Sequence, residues 1–215
     1  ILQRLEDKIY AEKSHTQPVI HLDKNENLKG LNFLDTLYQA IIKKIVLKIT
    51  YKSFTSRDEN VFQFHPYILK EFNNRWFLVG KKKNNSPVSN LALDRIIAID
   101  FDFQVEYFNE NFDAEKFYKN VVGVTVNSGL QPRKVELLID QTNAPYVLTK
   151  PLHNSQRLIK TNDDGSILVH LFLVENYELH RLLLGFGCGL EVIGPAGLRN
   201  TIKKNLIRCL EQYDE

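Results

Sequence analysis

The stretch Arg75-Trp76-Phe77-Leu78-Val79-Gly80 holds the only tryptophan of the chain and is apolar on both of its alternating faces. Successive side chains of a strand point to opposite sides, so a strand that is apolar on both must be covered on both. It belongs at the centre of a sheet or of a small barrel. Immediately before it, Asn73-Asn74 offers two residues that tolerate positive φ, which predicts a tight hairpin from the run Phe62–Phe72 into this strand. Two further strand-like runs flank the pair, Ile45–Tyr51 ahead of it and Asn90–Ile96 behind it, the latter continuing towards Asp100. Short strands joined by polar turns predict an antiparallel barrel rather than a parallel sheet.

Read in order, Ile49-Thr50-Tyr51, then His65-Pro66-Tyr67-Ile68-Leu69-Lys70-Glu71-Phe72-Asn73-Asn74-Arg75-Trp76-Phe77-Leu78-Val79-Gly80, then Leu91-Ala92-Leu93-Asp94-Arg95-Ile96 closely resemble the WYL domains of bacterial transcriptional regulators. The family takes its name from a Trp-Tyr-Leu tripeptide, and Trp76-Phe77-Leu78 keeps it without the central hydroxyl. The resemblance is strong over Ile45 to about Phe101 and weaker towards the carboxyl end. It implies an SH3-like or Sm-like barrel. It also implies the ligand-sensing and oligomerisation region of a DNA-binding regulator, a homodimer with a nucleic-acid fragment or nucleotide as effector. In the family a winged helix-turn-helix domain commonly precedes the WYL domain. The chain begins at Ile1 and contains no methionine, so the expectation is an effector part that reaches DNA through an amino-terminal domain missing here.

Along the rest of the chain, Leu2, Leu5 and Ile9 predict a short helix over Ile1–Glu12, and Val19–Leu22 a brief strand. Leu34, Tyr38, Ile41, Ile42 and Ile45 recur at helical spacing and predict a helix flanking the barrel, with these residues as its apolar stripe. Asn109–Asn120 reads as a helical connector, and the glycines and proline of 123–132 place a boundary near Ser128. Beyond it the order is strand (Lys134–Asp140), helix (Asn143–Thr149), a hairpin (Arg157–Lys160 with Ser166–Val174), helix (Tyr177–Phe186) and strand (Leu190–Ile193). A final helix covers Leu198–Tyr213. That βαββαβ order predicts a ferredoxin-like sandwich, and it resembles the WCX-like extension that follows WYL domains. The fold class is α+β: a small antiparallel barrel with a flanking helix, followed by a ferredoxin-like lobe. The divisions are a connector at 1–30, the barrel domain with its linker helix at 31–127 and the carboxyl-terminal domain at 128–215.

Composition narrows the chemistry. A net charge of +2 is too small to predict nucleic-acid binding by itself, so a polyanion site must be a local patch. No apolar run approaches the ~20 residues that span a bilayer. Without a secretory signal, Cys188 and Cys209 suggest a reduced, cytoplasmic setting and buried structural thiols rather than a disulfide. No hydrolase, phosphate-loop, dinucleotide or metalloprotease signature occurs. Gly185–Gly189 reads as a helix stop. Histidines 15, 21, 65, 153, 170 and 180 match no metal spacing. The expectation is therefore a non-enzyme without cofactor or metal.

The remaining candidates are polar and aromatic groups of the barrel. Tyr51 ends the row of Ile45, Leu47 and Ile49 at the rim. His65 precedes Pro66, where a ladder must break. Arg75 opens the tryptophan strand, with Trp76 assigned to the barrel interior. Arg95 sits in an apparent strand, Leu93–Ile96, where a charge needs a partner or an anion and where Asp94 points to the opposite face. Many relatives carry an arginine a few residues before the proline matched by Pro66, whereas this chain has Phe62-Gln63-Phe64-His65. His65 or Arg75 then stands in for it. With Ser53 and Lys70, the resemblance makes Tyr51, His65, Arg75, Trp76 and Arg95 the candidate ligand-binding set. Against it stand plainer roles: Tyr51 and Trp76 as core or rim residues, Arg75 as a hairpin cap, and lysines 81 to 83 as a solvated loop. The alternative function is a structural dimerisation module with no small ligand.

Overall fold

The computed structural model describes residues 29–127 and 129–213. The expected helix Ile1–Glu12, the strand Val19–Leu22 and the boundary residue Ser128 lie outside the described residues. Asn73 and Asn74 both adopt positive φ, 49° and 60°. They turn β2 (Asn60–Phe72) into β3 (Arg75–Lys81), with Phe72 opposite Arg75. β1 (Val46–Tyr51) pairs with β2 only as far as Phe64, and from His65 onward β2 pairs with β3. One strand therefore serves two ladders. Pro66 stands at the changeover, and the register shifts between Pro66 and Ile68, so the missing N–H falls where the ladder is already interrupted. Opposite it, Gly80 is required by close approach, since a Cβ there would lie 2.1 Å from the His65 carbonyl oxygen.

β4 (Ser89–Ala92) and β5 (Ile96–Asp102) complete the order β4-β3-β2-β1-β5, a barrel-like antiparallel sheet. The link between them is a 3-10 turn, Leu93–Arg95, not the continuous strand expected from Leu93–Ile96. α1 (Leu34–Ile42) flanks the barrel, but with a different stripe from the one expected. Leu37 and Ala40 are fully buried, while Tyr38 and Ile42 are 55% and 62% exposed. Ala40 lets the helix sit close to the sheet, and Leu34, Leu37 and Ile41 share its face at spacings of three and four.

Leu47, Ile49, Phe64, Leu78 and Leu91 join Leu37 in the barrel core. Val79, on the other face of β3, is equally buried. That face belongs to the connector, whose rings form a chain from Tyr67 to Phe112 (5.1 Å), Phe117 (5.1 Å) and Tyr118 (4.9 Å). The Tyr107 hydroxyl donates to the Pro66 carbonyl at 2.6 Å. Only one turn of the connector is helical, α2 (Ala114–Tyr118), started by the Asp113 carboxylate accepting from the Lys116 amide at 3.1 Å. Trp76 is half-buried, packed against the core rather than within it.

The second sheet is built from β6 (Arg133–Ile139), α3 (Ala144–Thr149), β7 (Arg157–Thr161), β8 (Ile167–Leu173), α4 (Tyr177–Leu184), β9 (Leu190–Gly194) and α5 (Ala196–Leu210). Its order is β7-β8-β6-β9 with every pair antiparallel, which is the ferredoxin-like arrangement. Val135, Leu137, Ile139, Val169 and Leu171 point towards Leu179, Leu183 and Leu198 of the helices. The opposite face carries Phe172 and Ile193 at 49% and 42% exposure. Cys188 and Cys209 are exposed, contrary to the buried thiols expected. Cys188 lies in a 3-10 turn after α4, and Cys209 on the outer side of the last turns of α5. Among the described residues no helix is long and apolar enough to cross a membrane.

At the centre of this layout, Leu78→Ala leaves a cavity between barrel and helix and should lower the unfolding free energy by about 3 kcal/mol. Val61→Ala, at a 56% exposed position of β2, should change it by less than about 0.5 kcal/mol. Urea titration of both variants checks the pair.

Candidate functional site

The β2–β3 hairpin tip, the end of the connector and the first turns of α4 enclose a groove of about 640 Å³. Three guanidinium groups line it from three elements: Arg75 at the start of β3, Arg95 in the 3-10 turn and Arg181 in α4. Asp94 lies between the first two. One carboxylate oxygen is 3.4 Å from Arg75 Nε and the other 3.9 Å from Arg95 Nε. The turn thus reverses the expectation that Asp94 points away from Arg95, because a 3-10 turn does not alternate faces as a strand does. Among the described residues Arg95 Nε nevertheless has no hydrogen-bond partner. Arg181 forms no ion pair among the described residues, and its guanidinium lies 5.7 Å from the Tyr177 ring.

The acidic member of the lining is Glu178, and it is already engaged. Its Oε1 accepts from the Thr125 amide at 3.2 Å and from the Thr125 hydroxyl at 2.7 Å. Its stem lies against Gly123, whose φ of +81° and close approach leave no room for a Cβ. The floor is a relay: the Tyr118 hydroxyl donates to Asn90 Oδ1 at 2.9 Å, and Asn90 Nδ2 donates to the Val124 carbonyl. Burial, reinforced by the Glu178 carboxylate, pushes the Tyr118 phenol well above its ordinary pKa, so it remains a donor. α4 is fixed to the connector by Asn176, which is 2% exposed. Its side chain accepts from the Leu179 amide at 2.8 Å and donates to the Val122 and Thr125 carbonyls at 2.9 and 2.8 Å.

Of the expected residues, the groove brings together Arg75 and Arg95. Ser53 shares with Arg95 a shallower opening of about 350 Å³ alongside, and its hydroxyl lies 3.3 Å from that of Thr55. Tyr51 is half-buried with its ring 6.4 Å from Phe62, outside both openings. Trp76 faces the barrel core. Lys70 sends its ammonium over the Tyr118 ring at 4.5 Å. His65 lies elsewhere: it is 3% exposed, its ring is 3.7 Å from that of Phe108, and Nδ1 accepts from the Phe108 amide at 3.4 Å. The lysine run is not simply solvated. Lys81 meets Glu110 at 2.5 Å, and Lys82 lies 3.8 Å from the centre of the Phe62 ring. Sequence reasoning missed Arg181 and Glu178, whose approach to the hairpin depends on how two parts of the chain pack. It dismissed Asp94 by assigning it to a strand.

Residues 32–101 match the WYL domain and residues 131–210 the WCX domain. Arg75 and Arg95 thus lie in the first match and Arg181 in the second. Among solved structures the chain is similar to the proteasome accessory factor B/C (PafBC) of Arthrobacter aurescens, with 16% identity and a TM-score of 0.35 over 90% of this chain and 29% of that one. It is also similar to a CRISPR Cas-related protein, with 10% identity and a TM-score of 0.45 over 82% of this chain and 49% of that one. The chain therefore spans less than half the length of either. No curated protein matches it.

Burial lowers the pKa of His65 below the ordinary 6.5, so the unfolded chain takes up this proton at a higher pH than the folded one. Stability should be fully present above pH 6.5 and fall as the pH drops below it, by no more than about 1.4 kcal/mol per pH unit for this group. His65→Phe removes the titrating group and should flatten the pH dependence of urea midpoints between pH 7 and 5. An unchanged slope would assign the effect to other groups, of which His153 is one, its pKa also lowered by burial.

Proposed function

As a member of the WYL-domain family of regulator-type proteins, with a WCX domain behind its WYL domain, this chain is, we propose, the effector-sensing and oligomerising region of a DNA-binding transcriptional regulator. Its effector is a nucleic-acid fragment or nucleotide. The observation that carries this reading is the convergence of Arg75, Arg95 and Arg181 on one groove from the two matched regions. A cavity of about 640 Å³ is of the size that encloses a small ligand. Planar guanidinium forks suit phosphate oxygens in pairs, and three of them against the two carboxylates of Asp94 and Glu178 leave a positive excess that favours an anion. The Asp94 carboxylate, 3.4 Å from Arg75 and 3.9 Å from Arg95, draws both towards one place beforehand, which reduces the ordering that a ligand must impose.

A ligand in this groove touches both domains, so its affinity depends on how they are set against each other. By linkage it shifts the population of their arrangements. An amino-terminal helix-turn-helix domain would read that shift out on DNA. The homodimer belongs to the same proposal, and the exposed Phe172 and Ile193 on the open sheet face support an interface there. The role is binding rather than turnover, and the domain division is 31–127 and 128–215.

Fluorescence anisotropy with short single-stranded DNA, RNA and nucleotides tests this. Arg95→Ala and Arg181→Ala should each weaken binding and make the logarithmic salt slope shallower by about 0.7 for a single strand. Arg95→Lys should recover only part of the affinity, since it restores charge without the fork. Arg95 is 28% exposed and 3.9 Å from its carboxylate, so the alanine variant should lose no more than about 1 kcal/mol of stability. Absence of saturable binding by every anion tried would favour the structural dimerisation module instead.

A further inference from the structure

Phe54 is one of the most exposed large apolar side chains of the barrel domain, 73% open to solvent. Its loop is nonetheless well tied: the Ser56 amide donates to the Ser53 carbonyl at 3.1 Å, and the Ser56 hydroxyl to the Asp58 carbonyl at 2.7 Å. One side of the ring is occupied by the Arg95 guanidinium, 4.4 Å from its centre. A cation over an aromatic face is favourable, and it orients the ring without covering it. Arg95 is the one residue common to the large groove and to the shallower opening of about 350 Å³ that Phe54 lines. The rim of that opening is polar, with Lys52, Ser53 and Ser56 beside the ring. An isolated exposed aromatic needs no explanation, but this one is oriented by a groove arginine and bordered by hydrogen-bonding groups.

We propose that Phe54 is a stacking platform for an unpaired nucleobase, set so that a strand whose phosphates meet the arginine groove lays one base on this ring. The proposal rests on the reading of the groove as a nucleic-acid site, and it narrows the ligand class to single strands of more than one nucleotide. Every base has a π face, so this subsite accepts different sequences, whereas a paired base in a duplex has no free face to offer. Arg95 then serves both subsites, its plane against Phe54 and its edge towards phosphate.

The test compares a tetramer of thymidylate with a four-residue abasic strand carrying the same phosphates, against the whole chain and its variants. The wild type should bind the base-bearing strand about tenfold more tightly than the abasic one, a typical contribution of one stacked base. Phe54→Ala should erase that preference without making the salt slope shallower, since no phosphate contact is removed, and Phe54→Trp should keep or raise it. Since the ring is exposed, neither substitution threatens the fold. Equal wild-type affinity for the two strands, or a preference that survives Phe54→Ala, overturns the stacking platform and leaves the arginine groove standing. Failure of the wild type to bind either strand overturns both.

Discussion

Leu78 and Val79 are adjacent, point to opposite faces of β3, and are both completely buried. Two separate layers must therefore close on one strand. The barrel core covers Leu78, and the chain that leaves the barrel has to return across the outer face to cover Val79. The aromatic run from Tyr107 to Tyr118 does so, anchored at the Pro66 carbonyl and on the Tyr67 ring. Once the connector is committed to that path, its end arrives beside the hairpin tip. Val124 then meets Asn90 of β4 and Thr125 meets Glu178 of α4, and the groove is a by-product of covering the strand.

The electrostatics follow from the same path. Asp94 and Arg95 are in a turn because the chain must swing from β4 to β5, and the turn brings the carboxylate within reach of Arg75 on the neighbouring strand. The carboxylate is only 14% exposed and lies within 4 Å of both guanidinium groups, of which Arg75, 44% exposed, is the more open to water. Glu178 offsets part of the third charge without pairing with Arg181, its Oε1 being held by the Thr125 amide and hydroxyl. What remains is a local excess of positive charge on a chain whose net charge of +2 does not announce it.

Much of the fold could be read from spacing. Alternation marked the strands, Asn73-Asn74 marked the hairpin, and the βαββαβ order marked the second sheet, because each is a pattern carried by neighbouring residues even where the pairing it implies is distant. Errors arose where two structures share one pattern. Leu93-Asp94-Arg95-Ile96 lies between two apolar runs and reads as their continuation, and no glycine or proline marks it as a 3-10 turn. In α1, Tyr38 and Ile42 offer as large a hydrophobic body as Leu37, and only packing against the sheet selects the phase that uses Ala40. Arg75 and Arg95 were legible as charges in apolar surroundings. Arg181 was not, since a lone arginine on an amphipathic helix looks like any solvated residue until the helix is docked. His65, chosen for its place beside Pro66, is enclosed by Tyr107 and Phe108, which lie more than forty residues away in the chain.

Asn176 bears on how this molecule comes apart as well as on how it is held. One amide both starts α4 and grips two carbonyls of the connector. The connector in turn covers the outer face of β3, so fraying at the first turn of α4 releases the strap across the barrel sheet. The hydrogen bonds of the connector and of the first turn of α4 thus open as one unit, with a shared free energy of opening. A carboxylate in place of the amide would keep the helix start and lose both grips, separating two local melting events that the amide keeps together.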